Sequence, residues 1–155
     1  MAVSVRQRLF DLARQKDEPF DLVLVRFALE RLLYRICQSP WHKNFLMKGA
    51  MLFSVWLDKP HRPTRDLDLM GYGANDIESL EKIFRSLCSV EVEEDGVTFL
   101  SESVRGLQIR DNNEYQGVRI QLKGFLAGAA IPIQVDIGFG DVVTPFQRKY
   151  HSHRY

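Results

Sequence analysis

The sequence predicts an α+β domain: a mixed β-sheet with helices packed on it, preceded by two N-terminal helices. Three observations lead there. Up to Cys37 the apolar residues recur at helical spacing. From Val97 onward they alternate in strand-like runs. Between these regions Asp66-Leu67-Asp68-Leu69 alternates acid with leucine, as a strand with one buried face does.

Residues 2–16 read as a short amphipathic helix with Val5, Leu9, Leu12 and Ala13 on one face. Pro19 suits the start of a second helix, with Asp17 or Glu18 near its cap. That helix runs to about Cys37. Leu22, Val25, Phe27, Leu29, Leu32, Leu33 and Ile36 give it a wide apolar face, and Arg26, Glu30, Arg31 and Arg35 are expected on a solvated one. Ser39-Pro40 ends it. Phe45-Leu46-Met47 reads as a short strand into Lys48-Gly49, followed by a helix from about Ala50 to Leu57. Pro60 and Pro63 mark a loop carrying Lys59, His61, Arg62 and Arg65. Arg65 to Met70 is a strand that Gly71-Tyr72-Gly73 stops. Asn75 or Asp76 caps a helix to about Leu87. Val90–Val92 and Val97–Leu100 flank a turn at Glu94-Asp95-Gly96. Residues 104–110 and 115–126 are two more strands turning near Asn112-Asn113. In the last strand, 131–139, Ile131, Ile133, Val135, Ile137 and Phe139 share one face, and Gln134 and Asp136 the other.

A chain of 155 residues suits one domain, 1–155, with a substantial core. Its net charge of +1 draws it neither to nucleic acid nor to a membrane, so any polyanion site must be a local patch. No stretch reaches the ~20 apolar residues a membrane helix needs. Cys37 and Cys88 lie in apolar helical stretches and are expected as buried thiols, which fits a cytoplasmic protein. His42, His61, His151 and His153 form no metal-ligand pattern. Neither a G-x-S-x-G elbow nor a G-x-x-x-x-G-K-[ST] loop is present.

The chemistry is concentrated in three carboxylates. Asp66 and Asp68 share a strand face and repel unless a cation lies between them. Mg²⁺ favours one or two carboxylates together with substrate phosphates. Asp136 is on the polar face of its own strand and completes the set if the two strands are neighbours. Three carboxylates suit two Mg²⁺ ions about 4 Å apart, clamping the attacking and leaving oxygens of an in-line displacement. Lys48-Gly49 is the second element. A glycine between strand and helix lets backbone N–H groups approach a phosphate, and Lys48 reaches it as a point charge. Thr64 and Arg65 add a hydroxyl and a cation. Taken singly, these features also fit an ordinary acidic strand, a strand end and a solvated basic loop. Asp141, in a turn after Gly138 and Gly140, reads first as a cap.

Three segments together resemble the AbiEii family of nucleotidyltransferase-like toxins, part of the DNA-polymerase-β-like superfamily. They are Phe45-Leu46-Met47-Lys48-Gly49-Ala50-Met51-Leu52, Arg62-Pro63-Thr64-Arg65-Asp66-Leu67-Asp68-Leu69 and Pro132-Ile133-Gln134-Val135-Asp136-Ile137-Gly138-Phe139-Gly140-Asp141. The resemblance covers roughly residues 20–145. It implies a minimal nucleotidyltransferase fold, Mg²⁺, a nucleoside triphosphate (NTP) donor and a cognate antitoxin. Some relatives add nucleotides to tRNA. Lys48 and Gly49 match the phosphate turn, Asp66 and Asp68 the metal pair, Asp136 the third carboxylate, and Thr64 the hydroxyl before the pair. Ala50 replaces the second glycine of the turn. The family also implies a further active-site lysine on a middle strand, for which Arg119, Gln121 and Lys123 are the nearby candidates. Family members continue into a helical C-terminal region, whereas this chain stops soon after Thr144-Pro145. Its absence is expected to affect acceptor binding more than metal binding, and to expose apolar surface that a homodimer would cover.

The resulting expectation is transfer of NMP from an NTP to RNA, tRNA among the candidates, or to a protein, by the toxin of a toxin–antitoxin pair. A truncated, catalytically idle protein-binding module and a metal-dependent phosphoesterase are the alternatives. The carboxylates of Asp66, Asp68 and Asp136 are expected in one metal-sized cluster near Gly49.

Overall fold

The computed structural model describes residues 1–48 and 65–139. The Ala50–Leu57 helix, the basic loop up to Thr64, Gly49, Asp141 and the histidines at 61, 151 and 153 lie outside the described residues. Among the described residues there are three helices: α1 (Ala2–Lys16), α2 (Phe20–Cys37) and α3 (Ile77–Leu87). The strands are β1 (Phe45–Lys48), β2 (Asp66–Gly71), β3 (Val97–Asp111), β4 (Glu114–Leu126) and β5 (Ala129–Gly138). They form one mixed sheet in the order β1-β2-β5-β4-β3. Among these strands only the β2–β5 pairing is parallel. This is the α+β architecture expected from the sequence, and it is consistent with a minimal nucleotidyltransferase fold.

One face of the sheet makes the core. Leu67 and Leu69 of β2, Ile133, Val135 and Ile137 of β5, and Val118, Ile120 and Leu122 of β4 join a single apolar cluster with Leu29, Leu32 and Ile36 of α2 and Leu80, Phe84 and Leu87 of α3. Burying that face forces the alternate residues onto the other side, because successive strand side chains point in opposite directions. β2 shows this directly, with half-buried acids alternating with fully buried leucines.

Local signals explain most boundaries. Asp17 closes α1 in the left-handed conformation (φ 53°). As expected, α2 starts at Pro19 with Glu18 beside the cap, though neither Asp17 nor Glu18 makes a side-chain cap hydrogen bond. Pro19 is the N-cap, and Glu18 instead accepts two hydrogen bonds from Arg26, at 3.0 and 3.3 Å. Asp76 caps α3 by accepting from the Ser79 N–H at 3.0 Å. Asn112 and Asn113, both at positive φ (53° and 65°), make the two-residue turn between β3 and β4. Ala127-Gly128 does the same between β4 and β5.

Four further expectations need correction. Val90–Val92 forms no strand. Flanked by glutamates and without a partner strand, the segment bends instead and delivers Asp95 to α2. Residues 97–100 and 104–110 are one strand, β3, whose register shifts between Leu100 and Arg105. The arginines of α2 do not lie on a solvated face. Arg35 is only 5% exposed; it donates to both Asp95 oxygens (2.8 and 3.2 Å) and lies over the Phe99 ring at 4.8 Å. Arg31 reaches the same carboxylate at 2.6 Å. Finally, Cys37 is exposed; Cys88 is half-buried, and burial pushes its thiol up to about 11.

Asp95 therefore ties α2 to the start of β3. Burial alone would raise its pKa, but hydrogen bonds from Arg35 and Arg31 outweigh burial and lower it. The lowered carboxylate stabilises the fold above its ordinary value of 3.8 and loses that contribution as pH falls through the lowered value. Asp95→Ala is expected to cost about 3 kcal/mol in urea unfolding at pH 7, because it strands the buried Arg35. The deficit should shrink below pH 3.8. Gly117→Ala should also destabilise, by about 1–3 kcal/mol, since Gly117 sits at φ 146° and a Cβ would collide with the Ile137 carbonyl. Thermal melts check this second variant.

Candidate functional site

The open face of the sheet carries the predicted acids in order. Asp68 stands opposite Asp136 in the parallel β2–β5 ladder, and Asp66 opposite Gln134. On the far side of β5, Arg119 pairs with Asp136 and Gln121 with Gln134. On the near side of β2, Lys48 is the register partner of Asp68. One row across the sheet thus reads Lys48, Asp68, Asp136, Arg119. The next reads Asp66, Gln134, Gln121, Arg105.

The parallel pairing is what brings Asp136 to the pair. Strands in such a ladder lie about 4.8 Å apart, so side chains on one face of neighbouring strands are within reach of a shared ion or ligand. Asp66 reports the resulting field. Its pKa is raised, first by burial and then by the charge of Asp136, while Arg119, a hydrogen bond with Gln134 and Arg65 act in the opposite sense. Among the described residues, Arg119 and Arg65 do not offset burial and the Asp136 charge at Asp66.

Arg119 is the residue whose role the sequence left open. It donates to both oxygens of Asp136, from Nε at 2.8 Å and from the second guanidinium nitrogen at 3.1 Å. Such two-point pairs fix orientation as well as charge. The signal for it lay in the Ala127-Gly128 turn. Counting seven residues back from Leu126 and seven on from Ala129 pairs Arg119 with Asp136. Lys123, the other candidate, sits further along β4, opposite Pro132.

The donor set suits a hard divalent cation. It consists of carboxylate oxygens, and one of these groups is disfavoured as an anion where it stands. Asp66 and Asp68, on one face of β2, are the pair that could hold such a cation. Contrary to the expected single cluster of Asp66, Asp68 and Asp136, no three acidic, histidine or cysteine side chains among the described residues form a group able to hold a metal. Asp136 has both oxygens engaged by Arg119, so it joins the pair only if Arg119 gives up one of them. Gly49, Ala50 and Thr64 lie outside the described residues, as does any contact they make. Arg65 is described and exposed, 3.8 Å from Asp21.

Residues 31–155 match the family model described as nucleotidyl transferase AbiEii toxin of type IV toxin–antitoxin systems. The chain belongs to the AbiEii family. The match takes in β1, β2 and β5 with all three acids and begins within α2. Membership makes the chain a nucleotidyltransferase of a toxin–antitoxin family and brings an NTP substrate and an antitoxin with it. No curated protein matches the chain. No described helix is long and apolar enough to cross a membrane.

The raised Asp66 pKa gives a stability prediction. Ionising Asp66 costs the fold, and this cost is absent below the ordinary value of 3.8 and complete above the raised value. Asp66→Asn should therefore melt slightly higher than the parent chain at pH 7 and show no advantage at pH 3. The same substitution should weaken Mg²⁺ binding in calorimetry. A lower melting temperature at pH 7 would contradict the electrostatic account.

Proposed function

We propose that this AbiEii-family protein transfers NMP from an NTP to an acceptor hydroxyl in an Mg²⁺-dependent reaction, as the toxin of its toxin–antitoxin pair. The observation that carries this reading is the placement of Asp68 opposite Asp136, with Asp66 on the same open face. Bound there, Mg²⁺ supplies charge neutralisation for the triphosphate and for the acceptor oxygen.

The chain's own residues do the rest. Asp66 and Asp68 hold the cation on a strand whose other face is locked in the core, so their separation is set by the backbone. Lys48, Gly49 and Ala50 are assigned to the donor phosphates by the family motif they match, and Thr64 and Arg65 add a hydroxyl and a cation for phosphate contacts. Asp136, oriented by Arg119, faces the acceptor hydroxyl and receives or directs its proton. The acceptor oxygen bonds to the α-phosphorus as the bond to the β-phosphate bridging oxygen breaks. Pyrophosphate leaves with the electron pair. In this reading residues 1–155 form one nucleotidyltransferase domain, working in the cytoplasm with RNA, tRNA included, or protein as acceptor.

Incubation with α-labelled NTP, Mg²⁺ and total RNA should label an acceptor. Asp68→Ala should reduce labelling by at least about 10³-fold, the order expected when a charge-stabilising group of the transition state is removed. Chelation should do the same. Release of NMP without any labelled acceptor would instead identify a phosphoesterase. A folded chain that neither labels nor cleaves would identify a protein-binding module.

A further inference from the structure

We propose that the cavity beside Asp66 is a phosphodiester-binding subsite for the terminal segment of a single-stranded nucleic-acid acceptor. This rests on the transfer reading above and adds the side from which the acceptor enters and the residues that hold it.

The cavity has a volume of about 480 Å³ and is lined by residues of β2, β5, β4 and β3, with Val25 of α2 beside them. Three cations border it, Arg65, Arg105 and Lys123, against one carboxylate, Asp66. This local excess of two positive charges stands out in a chain whose net charge is only +1. These cations are lightly committed. The Lys123 side chain is exposed and has no ion-pair partner among the described residues. Arg65 is 3.8 Å from Asp21, with both side chains well exposed. Arg105 donates from one terminal nitrogen to the carbonyls of Glu102 and Val104, at 3.0 and 2.8 Å, and forms no ion pair among the described residues. A phosphodiester is the anion such a set attracts.

The wall of the cavity is built rather than incidental. The register shift between Leu100 and Arg105 lies where β3 lines the cavity with Ser103 and Arg105. Ser103 fixes that irregularity, donating to the Leu100 carbonyl at 2.6 Å and accepting from the Lys123 N–H at 2.9 Å. Between the cations and Asp66 lie Gln121 and Gln134, paired across β4–β5 at 3.4 Å. Carboxamides both donate and accept, which suits the edge of a nucleobase.

Position assigns the occupant. The Lys48 register partner of Asp68 marks the β1 side as the donor side, and the cavity is on the opposite side of the acids, toward β4 and β3. A strand lying in it would present its terminal hydroxyl to Asp66 and Asp136. A protein hydroxyl acceptor would have no use for three cations and two carboxamides.

The test uses the full chain and a 5′-labelled single-stranded oligoribonucleotide, read by fluorescence anisotropy without NTP. Binding should weaken at least about tenfold in the Arg105→Glu/Lys123→Glu double variant. In the milder Arg105→Gln/Lys123→Gln variant, the plot of log affinity against log salt should become shallower by about 1.4, the change expected when two fewer phosphates of a single strand are neutralised. In transfer assays the acceptor KM should rise while the NTP KM stays constant. Melting curves confirm that both variants fold. Absence of oligoribonucleotide binding by the parent chain overturns the proposal. So does unchanged acceptor binding in the folded variants, a rise confined to the NTP KM, or labelling of protein at an undiminished rate. If the parent chain transfers label and both variants match it, the subsite falls and nucleotidyl transfer stands. If the variants lose RNA binding but the parent chain transfers no label, the nucleic-acid site stands and the transfer reading falls.

Discussion

Everything at the site depends on the parallel pairing of β2 with β5 in a sheet that buries only one face. Leu67 and Leu69 are fully buried, and with them the orientation of β2 is fixed. A slip of one residue would put Asp66 and Asp68 into the core and both leucines into solvent, at a cost of several kcal/mol. The apolar residues of β5 impose the same condition on Asp136. The acids therefore face outward together as a consequence of the core, with no separate positioning device.

Gathering three acids on one face creates an electrostatic problem that Arg119 and Arg65 only partly offset at Asp66. Arg119 engages Asp136, while Asp66 remains disfavoured as an anion by burial and by Asp136. A site built to receive a cation has this character before the cation arrives. Asp95 is the opposite case. That carboxylate has two arginines, Arg31 and Arg35, and its charge is favoured where it sits. Asp95 serves the structure and is satisfied within the protein. In the proposed reading, Asp66 awaits a cation from outside the protein.

The open face is also divided from side to side. Lys48 stands at the β1 edge, the acids run through the middle, and the cations Lys123 and Arg105 stand toward β3. AbiEii membership identifies the chemistry as nucleotidyl transfer. In the proposed reading, the division of the face gives that chemistry a direction, with the donor on one side and the acceptor on the other.

The sequence by itself determined most of the described elements, the buried faces of β2 and β5, and the identity of the acids. Period-2 alternation in β2 and β5, helical spacing in α1 and α2, and the cap at Asp76 are local properties, and local properties can be read along a chain. Strand adjacency cannot be read that way. That β5 lies beside β2, so that Asp136 meets Asp68, is decided by long-range packing, since only the assembled core chooses among the possible strand orders. The same is true of Arg119 on Asp136, of Arg35 on Asp95, and of the cavity that Lys123 and Arg105 border. Each joins residues from different elements. A charged side chain looks solvated in the sequence until its partner arrives from a distant part of the chain, and only the tertiary structure delivers it.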